Sequence, residues 1–208
     1  MFIIIDTETT GFPVQPNRGY YYDPSQIAFY DSSRMVSICW ALYKNDGTLV
    51  STDYSIVKPT DFTIDNKSIA TSIHGITQEI AEKRGKGIHR IMSKLAGDIE
   101  WADTIVGHNI IFDLHILLSE LYRYQYKKEA KQLRSLTRYC TMKHGTPLTK
   151  LPSKFYKKYK FPKLSELYKH LFNKSFDGAH NAFADVKACA KCYLKMNKMP
   201  IDQKVKIS

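Results

Sequence analysis

The chain begins Met1-Phe2-Ile3-Ile4-Ile5-Asp6-Thr7-Glu8-Thr9-Thr10-Gly11. Phe2 to Ile5 is a short, wholly apolar run, the pattern of a strand buried on both faces. Two acids then follow at once. Residues i and i+2 of a strand share a face, so Asp6 and Glu8 point the same way as the chain leaves this strand. Thr10-Gly11-Phe12-Pro13 breaks the extended run.

Working outward, residues 12–34 hold Pro16, Gly19, three consecutive tyrosines (Tyr20, Tyr21, Tyr22) and Pro24, and read as a long inserted loop. Met35 to Tyr43 alternates apolar and small or polar residues, as a strand does. Asn45-Asp46-Gly47 is a hairpin turn, and Leu49 to Val57 is the returning strand. Ile73-His74-Gly75-Ile76-Thr77 opens a polar helical region. Ile88, Ile91, Met92, Leu95 and Ile99 recur at helical spacing. Thr104 to Gly107 is another short buried strand, and Asn109 stands where it would cap the next helix, which carries Phe112, Ile116, Leu117 and Leu121. Leu164 to Phe172 and residues 181–197 read as two further helices. This order predicts an α/β fold in which antiparallel strands are joined by a parallel one and helices cover the sheet.

The 208 residues fit one domain, and they can bury a core without disulfides or metal staples. The net charge is +11, but its distribution is uneven. Residues 1–119 carry 10 basic and 14 acidic groups, whereas residues 120–175 carry 15 basic and 3 acidic. That segment, expected to be largely helical, points to a polyanionic partner. Its stretch from 150 to 163 interleaves Lys154, Lys157 and Lys158 with Phe155, Tyr156, Tyr159 and Phe161. Phosphate contact beside aromatic stacking is how single strands are gripped without reading their sequence. No apolar stretch is long enough for a membrane span, and the N-terminus lacks a secretion signal. An intracellular chain, of microbial or viral origin, is expected. The four cysteines do not form a disulfide framework, and Cys189-x-x-Cys192 stands alone inside a helical pattern.

The acids gain meaning together. Asp113 lies in the first turn of the helix after the fourth strand, and Asp185 lies four residues past Asn181. Buried carboxylates crowded together are costly unless cations neutralise them. Oxygen-rich, carboxylate-rich sites suit Mg²⁺ or Mn²⁺.

Three motifs carry a resemblance: Asp6-Thr7-Glu8-Thr9-Thr10-Gly11, His108-Asn109-x-x-Phe112-Asp113, and His180-Asn181-Ala182-x-x-Asp185. In this set the chain resembles the DEDDh branch of the DnaQ-like 3'→5' exonucleases, over roughly residues 1–195. The Ile73 to Thr77 segment is similar to the family's stretch after the third strand. The resemblance implies an RNase H-like fold, with a central mixed five-stranded sheet of three antiparallel strands followed by parallel strands. It implies one exonuclease domain over 1–208. It also implies two Mg²⁺ ions, replaceable by Mn²⁺, with no small-molecule cofactor. Asp6 would bridge both ions, Glu8 and Asp185 would complete one site, and Asp113 the other. His180 would be the general base, suited by an ordinary pKa near neutrality. Thr9, Thr10, Gly11, Phe12 and His74 would meet the terminal nucleotide, and Asn109 would orient the phosphate side or cap its helix.

The reaction implied is release of nucleoside 5'-monophosphates from the 3' end of single-stranded DNA, as in proofreading or end-trimming. The same residues fit RNA or short oligoribonucleotides. A third reading, from another class, is a nucleic-acid-binding accessory subunit. A proofreading role would need a polymerase partner supplied in trans. The 12–34 loop is longer than in many members, and His89, His115, His144 and His170 have no assigned partner.

Overall fold

The computed structural model describes residues 1–17, 19–153, 158–178 and 181–199. Five strands form one sheet: β1 Phe2–Thr9, β2 Met35–Tyr43, β3 Leu49–Ile56, β4 Thr104–Gly107 and β5 Thr137–Cys140. Their spatial order is β3-β2-β1-β4-β5. β1, β2 and β3 pair antiparallel, and β4 and β5 add in parallel on the other side of β1. The helices are α1 Ile69–His74, α2 Gln78–Arg84, α3 Ile88–Ile99, α4 Ile111–Arg123, α5 Lys127–Ser135, α6 Thr141–Thr149, α7 Leu164–Phe172 and α8 Ala182–Met196. This is the mixed five-stranded, helix-flanked α/β architecture expected of an RNase H-like fold.

β1 sits at the centre, and its alternation decides what each face holds. Phe2 and Ile4 join Cys39, Ala41 and Val106 against Val186, Cys189 and Tyr193 of α8. Ile3 and Ile5 join Trp40 and Ile105 against Met92 of α3 and Leu114 and Leu117 of α4. Extending that period, Asp6 and Glu8 fall on the α8 face and Thr7 on the α4 face. β1 runs on to Thr9, beyond the apolar run that marks it in the sequence, so both acids lie within the strand. Asp6 stands opposite Cys39 and Glu8 opposite Ser37. The pairing then slips between Glu8 and Thr9, a bulge that bends the strand end where the acids leave the sheet.

Three expectations need correction. The basic segment is not simply helical: Thr137-Arg138-Tyr139-Cys140 inside it is β5, which hydrogen-bonds beside β4. Asn109 does not cap α4. Ile110 is the capping residue, without a side-chain bond, and Asn109 takes a left-handed conformation with φ 69°. Asparagine is among the few residues that tolerate this region, and a chain turning sharply from β4 into α4 uses it for that purpose. Ile73-His74-Gly75-Ile76-Thr77 does not open a helix; it joins two. Gly75 ends α1 at φ 73°, and the Thr77 side chain caps α2. Asn181 does cap α8, accepting from the Phe183 N–H at 3.1 Å.

α4 is locked to the sheet by a buried ion pair. Arg34 Nε donates to Glu120 Oε1 at 2.9 Å, the Met35 N–H reaches the same oxygen at 3.1 Å, and Arg34 Nη2 donates to Asp61 at 3.0 Å. Arg34 is 4 % and Glu120 2 % exposed. The Arg34 carbonyl also accepts from the Thr10 N–H, and the Arg34 N–H donates to the Thr10 hydroxyl, each at 2.9 Å. Removing one partner of such a pair strands the other charge away from water. Glu120→Ala is expected to cost about 3–5 kcal/mol in urea unfolding, most of it recovered when Arg34→Met is added. A loss below about 1 kcal/mol would mean that the pair does not hold the helix.

Candidate active site

Four carboxylates converge at the C-terminal end of β1. Asp6, Glu8 and Asp185 each offer an oxygen, and these lie within 4.8 Å of one another. Asp6 and Glu8 arrive from β1, and Asp185 from the first turn of α8, which packs against the same face of that strand. Asp113 comes from the first turn of α4 on the opposite face, and is only 4 % exposed. Thr7, between the two β1 acids, holds it. The Thr7 N–H and hydroxyl donate to Asp113 Oδ1 at 2.9 and 2.8 Å. One three-residue segment thus supplies two acids and fixes a third from across the sheet.

The electrostatics follow from this crowding. Burial pushes the Asp6 carboxyl well above its usual range, and the charges of Asp113, Asp185 and Glu8 push it further. Burial raises Glu8 to about 8, with Asp185 and then Asp113 adding to the effect. Burial raises Asp113 to about 7, although the two Thr7 hydrogen bonds pull the other way and favour its charged form. The cluster therefore resists ionising as a set in the absence of cations. Its donors are all hard carboxylate oxygens, the chemistry that divalent Mg²⁺ or Mn²⁺ selects. The residues present fit such ions.

Beside the acids lies a mainly apolar pocket of about 420 Å³, lined in part by Thr9, Phe12, Ile69, Ile73, His74 and Phe112. Thr10 and Gly11 also line it, so all of the expected Thr9 to Phe12 run and His74 meet there. Thr9 Oγ1 donates to the Gly11 carbonyl at 2.7 Å, and Ser33 Oγ donates to the same oxygen at 2.6 Å, which shapes the turn at the pocket wall. Phe12 is 77 % exposed at its mouth. His74 Nδ1 accepts from the Ile76 N–H at 3.0 Å, which places the ring proton on Nε2. That Nε2 is buried and makes no well-formed hydrogen bond among the described residues, although the Thr9 backbone lies close enough to favour the charged ring slightly. Burial holds the ring toward its neutral form.

Other expected residues are placed less closely or fall elsewhere. Asn109 stands at the β4–α4 turn, where the Phe112 N–H reaches its carbonyl at 2.9 Å. His108 is a tie rather than a site residue: it meets Thr141 Oγ1 at 3.0 Å and the Pro162 carbonyl at 2.9 Å, and burial lowers it to about 4. Lys158 is exposed, as are Tyr159 and Phe161. His180, Lys154 and Lys157 lie outside the described residues. Sequence reasoning missed Thr7 as the holder of Asp113, although it lies inside the quoted motif. It also missed Ile69 and Ile73, whose exposed faces complete the pocket.

A carboxylate cluster at the end of the central strand of such a sheet, with a pocket beside it, is suited to metal-assisted hydrolysis. The profile of the exonuclease family known as RNase_T matches residues 3–193, and the chain belongs to that family, in its DEDDh, DnaQ-like branch. Among solved structures, E. coli exonuclease I in complex with a dA16 oligonucleotide is similar at 19 % identity with a TM-score of 0.69, covering 95 % of this chain and 40 % of that one. The zinc-bound form of the E. coli exonuclease I–ssDNA complex gives 19 %, 0.68, 95 % and 40 %. A moderately thermophilic exonuclease I from Methylocaldum szegediense gives 20 %, 0.67, 99 % and 41 %. The chain thus spans about two fifths of the length of these structures. A search of curated protein sequences finds no match. Among the described residues, no helix is long and apolar enough to cross a membrane.

The raised carboxyls make a pH prediction. A group whose pKa is higher in the folded state stabilises the fold while protonated, and that contribution fades as pH rises from the unfolded to the folded value. For Glu8 the window runs from its ordinary 4.5 to about 8. In EDTA, Tm should therefore fall across this window, and Glu8→Gln should melt higher than wild type at pH 8. Millimolar Mg²⁺ or Mn²⁺ should raise Tm of the wild type at that pH. A Glu8→Gln protein less stable than wild type in EDTA at pH 8 would count against the repulsive cluster.

Proposed function

We propose that the chain acts as a 3'→5' exonuclease domain. It would hydrolyse phosphodiester bonds from the 3' end of single-stranded DNA and release nucleoside 5'-monophosphates, with two Mg²⁺ ions that Mn²⁺ can replace. The observation that carries this reading is the meeting of Asp6, Glu8 and Asp185 within 4.8 Å, with Asp113 pinned beside them through Thr7. Direction and substrate rest on the family and on the single-stranded DNA held by the similar exonuclease I structures.

Asp6 would serve both ions, with Glu8 and Asp185 completing one site and Asp113 the other. The ions, when bound, supply a reactive water at neutral pH and offset the charge that builds on the phosphate. His180 accepts the proton of the attacking water. Thr7 aims Asp113 and favours its charged form. The pocket takes the terminal nucleoside, with Phe12, Ile69 and Ile73 against its base and sugar. His74, whose Nε2–H makes no well-formed hydrogen bond among the described residues, donates to it. Lys154, Lys157 and Lys158 grip the phosphates of the incoming strand.

The test is a time course on 5'-labelled single-stranded DNA and RNA of one sequence, with Mg²⁺, with Mn²⁺ and with EDTA. A metal-dependent ladder shortening from the 3' end is expected, faster on DNA. Asp113→Asn should abolish it with the fold retained, and His180→Ala should slow it about 10²–10⁴-fold. A faster RNA ladder would reassign the substrate to RNA. Binding without any cleavage would favour an accessory subunit, and wild-type turnover by Asp113→Asn would refute the two-metal site. Replacing Lys154, Lys157 and Lys158 together should weaken binding and flatten its dependence on salt. An unchanged slope would place the strand elsewhere.

A further inference from the structure

The loop between β1 and β2 is bolted down, and its tyrosines divide their duties. Tyr22 stacks on Phe29 at 3.7 Å, and Tyr30 is fully buried, its hydroxyl donating to the Tyr22 carbonyl at 2.6 Å. Ion pairs Asp23–Arg134 at 2.8 Å and Asp31–Arg123 at 2.7 Å tie the loop to α5 and α4. Those contacts account for the loop's own packing. Tyr21 does something else. It lies over the first turns of α4, 6.4 Å from the Phe112 ring and 5.2 Å from His115, and it remains half-buried. Phe112 and His115 are three residues apart, so they form one stripe of that helix.

Tyr21 is also near the acids. Its phenol is raised first by burial and then by the charge of Asp113, so it stays neutral and adds no repulsion beside a phosphate. Phe12 also meets Phe112, edge to face at 5.8 Å. Phe12 and Phe112 line the terminal pocket, whereas Tyr21 does not. Phe112 thus touches both Phe12 of the pocket and Tyr21, which stands outside that pocket and within reach of the Asp113 charge. Past His115 the surface turns positive. Burial and then the charges of Arg138 and Arg134 lower that ring, while Asp23 and the Tyr22 backbone pull it back; Arg134 is paired with Asp23, whereas Arg138 is exposed with no carboxylate partner among the described residues.

We propose that Tyr21 is a stacking platform for the base one nucleotide upstream of the terminal one, with the phosphate beyond it directed toward Arg138. The assignment rests on the reading of the carboxylate cluster as an exonuclease centre, because that reading defines which nucleotide is terminal. A tyrosine held by an anchored loop offers its π-face at little entropic cost, and such a face accepts any base. The platform therefore selects for an unpaired second base rather than for sequence. It gives the 12–34 loop a function that its length alone does not explain.

The experiment measures binding by fluorescence anisotropy, with Ca²⁺ replacing Mg²⁺ and a 5'-fluorescein oligothymidylate of about eight nucleotides as probe. A second probe carries an abasic unit at the position next to the 3' end, and a third carries it one position further upstream. Loss of the second base should weaken wild-type binding about 5- to 100-fold. Tyr21→Leu should bind the intact strand that much more weakly and lose nothing further from the abasic unit. Tyr21→Phe should behave as wild type. If Tyr21→Leu keeps the full penalty, or if its missing penalty belongs to the third probe, the platform is overturned. The binding readout stands apart from cleavage. Wild-type protein that shows the expected discrimination yet cuts neither DNA nor RNA in Mg²⁺ would reject the exonuclease reading and leave the stacking contact in place.

Discussion

Like charges do not gather unaided, and the structure depends on overcoming that. Carboxylate oxygens within 4.8 Å of one another repel by about 3–4 kcal/mol per ionised pair at an effective dielectric constant of about 20. Three of these acids lie so, and a fourth stands close enough to raise two of them. The rest of the fold can be read as the apparatus that holds them. β1 is central and buried, so its end cannot move away. α8 packs on one face of it through Val186, Cys189 and Tyr193 and delivers Asp185. α4 packs on the other through Leu114 and Leu117 and delivers Asp113.

The clamp on α4 has two points. Asp113 and Glu120 are seven residues apart, two turns along one face of the helix. Each is nearly sealed from water, and each is met by groups from the strand beneath: Thr7 for one, Arg34 and the Met35 N–H for the other. Two charge-assisted anchors at this spacing fix both the rotation and the axial position of the helix. A displacement of Asp113 would have to break the Arg34–Glu120 pair as well. The same Arg34 backbone pairs with Thr10, so the clamp also sets the turn that walls the terminal pocket.

Much of this was legible in the sequence, for reasons that differ by element. β1 and β2 showed themselves by apolar runs and alternation, because both their faces are covered, and β3 followed from the Asn45-Asp46-Gly47 turn that returns the chain beside β2. The three acidic motifs stood at the ends of the elements that carry them. β5 did not show itself. Thr-Arg-Tyr-Cys is four residues long, half of it exposed, and it becomes a strand because β4 lies alongside. Propensity alone does not contain that neighbour. Asn109 looked like a cap because asparagine serves both caps and left-handed turns, and only the backbone angle distinguishes them. The anchoring of the 12–34 loop was hidden for a third reason: Asp23 finds Arg134 and Asp31 finds Arg123 across 111 and 92 residues. No local pattern announces a partner at that distance.

The placement of the four acids also sets a timetable for biosynthesis. Asp6 and Glu8 emerge with the first strand, Asp113 near the middle of the chain, and Asp185 with the last described helix. At translation rates of 5–20 residues per second, roughly ten to forty seconds separate the first acid from the fourth. Throughout that interval the central strand lacks its α8 cover, and the cluster lacks Asp185. A nascent chain still near its own messenger and ribosome therefore holds an incomplete set of carboxylates. The order of the elements along the chain delays assembly of the full site until the fold itself is closed.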